Sequence, residues 1–85
     1  MYTVTIERTA QKALARIERP QRRKIEDTIA GLANEPRPRG SIKLSGVDAH
    51  RVRVGDYRIV YTIEDTIRVV NIVNIGHRRS IYREV

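Results

Sequence analysis

Residues 50–61 read His50-Arg51-Val52-Arg53-Val54-Gly55-Asp56-Tyr57-Arg58-Ile59-Val60-Tyr61. Two alternating runs flank Gly55-Asp56, a pair that suits the two-residue turn of a β-hairpin. Side chains on a strand alternate between faces. Val52 and Val54 mark the core face of the first run, and Tyr57, Ile59, Tyr61 and Ile63 that of the second. Arg51, Arg53 and Arg58 must then point the other way, so the hairpin gathers three guanidinium groups on one face. His50 falls with Val52 on the core side, where a structural role is expected. Three neighbouring cations repel one another, and an anion between them reverses the sign of that interaction. Only Asp48 and Asp56 lie nearby in sequence to neutralise them, both at predicted turns.

Outward from the hairpin, residues 2–7 alternate as a half-buried strand, with Tyr2, Val4 and Ile6 on one face. Thr9 offers a helix N-cap, and Ala10, Ala13, Leu14 and Ile17 follow at helical spacing. This helix should stop before Pro20, which suits the first turn of a second helix striped by Ile25, Ile29 and Leu32. Arg37 to Gly40 reads as an exposed loop, and Ile42-Lys43-Leu44 as a short strand ended by Ser45-Gly46. Beyond the hairpin, the acidic turn Glu64-Asp65-Thr66 leads into an apolar strand from Ile67 to Ile75. Its mixed pattern suits a central position covered on both sides. The order β-α-α-β-β-β predicts an α+β fold: an N-terminal strand, a helical hairpin, then an antiparallel meander with the helices on one face. The tail Gly76-His77-Arg78-Arg79-Ser80-Ile81-Tyr82 can fold over the sheet's end and bring His77, Arg78 and Tyr82 towards the three arginines.

Eighty-five residues make one domain, 1–85, since cores split only at roughly 250 residues or more. Lys and Arg total 17 against 10 Asp and Glu, a net charge of +7, and 14 of the 17 are Arg. That excess attracts polyanions, and the planar guanidinium grips phosphate in a bidentate fork. Cysteine is absent, which excludes disulfides, thiolate nucleophiles and Cys-ligated zinc. The N-terminus runs directly into a strand pattern without a signal-like segment, and no apolar run approaches the roughly 20 residues of a membrane span. A cytoplasmic protein without a membrane partner is expected. A second basic group, Arg8, Lys12, Arg16, Arg19, Arg22, Arg23 and Lys24, runs along the helical hairpin. Lys12 and Arg16 share a helix face, which is either a solvated surface or a contact for a polyanion.

Three blocks carry a family resemblance that spans Tyr2 to Tyr82: Lys43-Leu44-Ser45-Gly46, the hairpin from His50 to Tyr61, and Gly76 to Tyr82. Together they resemble the RelE/ParE toxins of type II toxin–antitoxin systems. The basic ending with Tyr82 is similar to the RelE-like ribonucleases and unlike most gyrase-poisoning ParE relatives. The resemblance implies an mRNA interferase that enters the ribosomal A site and cuts the codon there, stopping translation. It also implies a cognate acidic antitoxin that wraps the toxin in a heteromeric complex, the free toxin being monomeric. Arg58, Arg78 and Tyr82 match the family's catalytic set, whereas Arg51 and Arg53 stand where well-known members have Lys. The alternatives are a ParE-like inhibitor of DNA gyrase and a non-catalytic module that binds nucleic acid or its antitoxin.

For an RNA substrate the ribose 2′-hydroxyl is the nucleophile, so neither a metal nor a cofactor is expected. Two histidines without an obvious carboxylate partner make a poor metal site. The enzyme must align that hydroxyl, take its proton, stabilise charge at phosphorus and protonate the departing 5′ oxygen. Arg58 and Arg78 would hold the scissile phosphate, with Arg51 and Arg53 steadying the leaving side. Arginine has a pKa above about 12 and makes no base at neutral pH. That leaves His77 or Tyr82 as the base, with the family resemblance favouring Tyr82. Contacts to RNA are expected from Arg51, Arg53, Arg58, Arg79, Lys43, Lys12 and Arg16.

Overall fold

The computed structural model describes residues 1–77. Strand β1 (Thr3–Ile6) is followed by helices α1 (Arg8–Ala15) and α2 (Gln21–Gly31). Then come β2 (Ile42–Lys43), β3 (His50–Val54), β4 (Tyr57–Glu64) and β5 (Val69–His77). The five strands form one sheet in the order β1-β5-β4-β3-β2. From β2 to β5 the pairing is antiparallel, as the meander predicts, while β1 pairs parallel to β5. The fold is α+β, and β2 is the short strand expected from Ile42-Lys43-Leu44, so that four strands follow the helices.

Both helices cover one face of the sheet. Ala10, Ile17, Ile25, Ile29 and Leu32 from the helical hairpin meet Val52, Ile59, Tyr61, Val70, Ile72 and Ile75 from the strands in one buried cluster. Burying such apolar area, at roughly 25 cal/mol per Å², is the main force holding the layers together. The helices depart from the sequence reading at their ends. Helix α1 begins at Arg8 with Glu7 as its N-cap, so Thr9 lies inside the first turn. Glu7 is still extended because its N–H donates to the Ile72 carbonyl, as the continuation of β1.

Strand β5 also starts later than expected. Residues 65–68 form the turn after β4, with Arg68 in the left-handed region at φ 54°. Ile67 is 68% exposed at its tip and belongs to no strand. Asp65 anchors this turn, accepting from Tyr2 Oη at 2.6 Å and from both terminal nitrogens of Arg37 at 3.3 and 2.9 Å. The Arg37 guanidinium, and then the Tyr2 hydroxyl, hold the Asp65 carboxyl below its ordinary pKa. The loop after α2 is thereby tied to the outer ends of β1 and β4. No helix among the described residues is long and apolar enough to cross a membrane.

Candidate functional site

The β3–β4 turn closes with Val54 opposite Tyr57, and Gly55 takes φ 59°, the positive value that the first residue of a tight hairpin turn requires. That register sets Arg53 directly opposite Arg58 and Arg51 opposite Val60. Across β4, Arg58 faces Gly76 and Val60 faces Asn74. Cross-strand partners share a face, with Cβ atoms about 4.5–5.5 Å apart. Val52 and Ile59 lie in the helix-side core, so the alternating arginines project from the open side. The open side therefore carries Arg53, Arg58 and Gly76 in one row and Arg51, Val60 and Asn74 in the next.

Like charges placed directly opposite each other destabilise a sheet. Among the described residues the ion pairs are Arg23–Asp27 and Arg37–Asp65, so no carboxylate within residues 1–77 neutralises Arg51 or Arg53. Arg53 is exposed, whereas Arg51 and Arg58 are half-buried, and the Nε and Nη1 atoms of Arg58 are enclosed. Val60 is only 5% exposed and stands apart from the helix-side cluster, which makes it an apolar floor between the cations. Partial removal of water lowers the local dielectric and strengthens attraction for an incoming anion. Further along the same face the character changes. Thr5 donates to Asn71 Oδ1 at 2.9 Å and Asn71 donates to Glu7 at 2.6 Å, a closed polar network without free cations.

Other sequence candidates fall elsewhere. Strand β5 carries a bulge: Val60 pairs with Asn74 but Tyr61 pairs with Ile72, leaving Val73 as the extra residue. The bulge inverts the facing of everything beyond it, so Ile75 pairs with Ile59 and His77 with Tyr57 on the helix side. His77 meets the Tyr57 ring edge-on at 5.8 Å. It thus lies across the sheet from Arg53 and Arg58. Lys43 pairs with His50 and so shares its helix-side face at the β2 edge. Lys12 of α1 and Arg16 at its C-cap are exposed and line a hollow with Tyr57 and His77, a grouping that sequence reasoning did not foresee. Its signal was present, however: buried Val70, Ile72 and Ile75 are spaced by two and then three, the mark of a bulge. Arg78, Arg79 and Tyr82 lie outside the described residues. No three of His, Cys, Asp and Glu gather as a metal-holding group among the described residues.

His50 stacks on the buried Tyr61 ring at 5.7 Å, and its Nδ1 is buried without a hydrogen-bond partner among the described residues. Burial first, then the Arg37 and Lys43 charges, lower its pKa. The folded state thus prefers neutral His50, so its contribution to stability is complete above the unfolded value of about 6.5 and is lost as pH falls through the depressed folded value. We predict that thermal midpoints of the wild type fall on acidification below about pH 6.5 more than those of His50→Gln. Parallel melting curves for the two proteins would refute this assignment. The Asp65 carboxyl loses its own contribution in a separate, more acidic window, because its folded pKa lies below the ordinary carboxylate value.

Residues 4–82 match the family described as ParE toxin of the type II toxin–antitoxin system parDE. The chain is 34% identical over 84 residues to the toxin RelE of Mycobacterium tuberculosis, an alignment covering 96% of this chain and 87% of that protein. Its fold superposes on the archaeal RelE–RelB complex from Pyrococcus horikoshii OT3 with a TM-score of 0.83 at 32% identity, covering 93% of this chain and 97% of the matched one. The toxin–antitoxin complex RelBE2 from Mycobacterium tuberculosis gives 0.80 at 29% identity, with 91% and 98% covered. The hairpin arginines, the α+β architecture and these likenesses agree: the chain belongs to the RelE/ParE superfamily of type II toxin–antitoxin toxins and within it is RelE-like.

Proposed function

We propose that the chain is a metal-independent endoribonuclease that cuts messenger RNA, in the ribosomal A site, and so halts translation. The observation that carries this reading is the direct pairing of Arg53 with Arg58, beside Arg51 and above the apolar Val60 floor. In the reaction the 2′ oxygen attacks the adjacent phosphorus as its proton passes to a base. The P–O5′ bond breaks and the departing oxygen takes a proton from water, leaving a 2′,3′-cyclic phosphate and a 5′-hydroxyl end. Arg58 and Arg78 hold the phosphate oxygens, and Arg51 and Arg53 stabilise charge on the leaving side. Such preorganised donors supply the largest share of the acceleration. With His77 placed on the helix side, Tyr82 is the better candidate base, a role open to a phenol where cations assist its proton loss.

An acidic cognate antitoxin, held in a heteromeric complex with a toxin that is monomeric when free, is the proposed regulator. Two of the matched structures are complexes with an antitoxin, and a net charge of +7 complements an acidic segment. The exposed basic side of the helical hairpin, including Arg8, Arg19 and Arg23 beside the half-buried Arg22, suits ribosomal RNA, and the proposed compartment is the cytoplasm. A ParE-like reading, inhibition of DNA gyrase, is favoured by the name of the matching family. Mapping mRNA 5′ ends after brief expression decides between them: new ends clustered within codons are expected. Intact messages together with plasmid linearised in the presence of gyrase would replace the ribonuclease reading with the ParE-like one.

A further inference from the structure

The bulge in β5 builds a second cationic surface at the same end of the sheet. Two contiguous hollows of about 550 and 620 Å³ share Arg16, Tyr57 and His77. The first is framed by Thr9 and Lys12 of α1 and its C-cap Arg16 against Tyr57 and His77, and among its described lining residues none is acidic. The second adds Lys24 but also Glu18 and Asp56, so positive charge is concentrated in the first. Tyr57 and His77 present an edge-to-face aromatic pair at its wall, at an interplanar angle of 79°. An aromatic surface beside basic side chains is the usual platform for a single-stranded base and its phosphate. Adjacent residues join this hollow to the arginine face. Tyr57 and Arg58 are consecutive on β4, Gly76 and His77 on β5, and in each pair one residue faces either side. A strand leaving Arg53 and Arg58 has only to turn round the sheet's end to arrive at Tyr57.

We infer that the Lys12–Arg16–Tyr57–His77 hollow is a flanking subsite for single-stranded RNA, taking a nucleotide beside the one whose phosphate lies at the hairpin arginines. The inference rests on the ribonuclease reading for its first phosphate site, and binding without cleavage separates the two. An acidic peptide would suit the charge but would gain little from an aromatic wall, and continuity with the arginine face favours RNA.

The test uses 2′-O-methyl oligouridylates, which cannot be cut, as a trimer and a hexamer. The wild type should bind the hexamer about tenfold more tightly than the trimer, from one added stacked base. Lys12→Glu with Arg16→Glu should erase the hexamer's advantage while leaving trimer binding unchanged. It should also reduce the dependence of log affinity on log salt by about 1.4, for two lost phosphate contacts on a single strand. Tyr57→Leu should lower hexamer affinity without altering the salt slope. Lys12 and Arg16 are exposed, so their reversal leaves the core intact, and a melting midpoint within two degrees of wild type verifies this. Equal loss for trimer and hexamer, or loss for neither, overturns the subsite. So does failure of the wild type to bind either oligomer, or displacement of the hexamer by oligoglutamate at equal potency. Absence of mRNA cutting, with the trimer–hexamer difference intact, counts against the ribonuclease reading alone.

Discussion

Replacing Arg58 by alanine should cut the single-turnover rate of mRNA cleavage in a translating extract by about 10²–10³-fold, the usual cost of one preorganised donor at a developing charge. The stability of the fold should not fall in step. Arg58 faces Arg53 across the β3–β4 pair, so its removal takes away one of two like charges placed directly opposite each other. A variant that melts near the wild-type midpoint yet scarcely cuts marks a residue placed for the substrate. Arg58→Lys should recover part of the rate, since a point charge returns but the bidentate fork does not. Arg53→Ala should cost less, because that side chain is exposed and its charge is screened by water. In the same assay His77→Gln should leave the acidic limb of the pH–rate profile in place, as His77 lies on the helix side of the sheet. An Arg58→Ala enzyme within threefold of wild type would remove the phosphate site on which the mechanism stands.

The grouping of the hairpin arginines was legible because its determinants are local. Alternation fixes facing within a strand, Gly55-Asp56 fixes the register of two adjacent strands, and those two facts place Arg51, Arg53 and Arg58 together. The same logic failed beyond Val73, where one extra residue inverts every side chain that follows. Counting straight along β5 from Val70 and Ile72 gives His77 to the open face. Counting through the bulge gives it to the helix side and creates the hollow with Lys12 and Arg16. The facing of Lys43 was not legible for a related reason: a two-residue edge strand has too little pattern to reveal it until its partner His50 is known. The parallel pairing of β1 with β5 joins residues more than sixty positions apart, and nothing in the N-terminal alternation names its neighbour. Ile67 shows the remaining limit. Hydrophobicity alone extended β5 backwards, but the turn anchored by Asp65 claimed that residue.

The largest stability effect is expected at Tyr61, where core, loop and hairpin meet. Its ring is fully buried, it stacks on His50, and its hydroxyl donates to the Pro36 carbonyl at 2.7 Å inside the protein. Burial raises the phenol's pKa, so the group stays a donor throughout the physiological range. Tyr61→Ala removes the ring and leaves a cavity, at a cost of about 3–5 kcal/mol. A domain of this size has a total stability of only about 4–13 kcal/mol, so that loss consumes a large part of it. Tyr61→Phe keeps the packing but strands the buried Pro36 carbonyl, which costs about 1–3 kcal/mol. Urea denaturation followed by circular dichroism should therefore order the proteins wild type, Phe, Ala, with the slope of the transition unchanged for Phe. The Phe variant should still cleave RNA, because Tyr61 faces the helices while the arginines face away. If Phe and Ala are equally destabilised, the hydroxyl bond to the loop rather than the ring supports this corner of the fold. If Phe costs nothing, the loop is held by Arg37 and Asp65 alone.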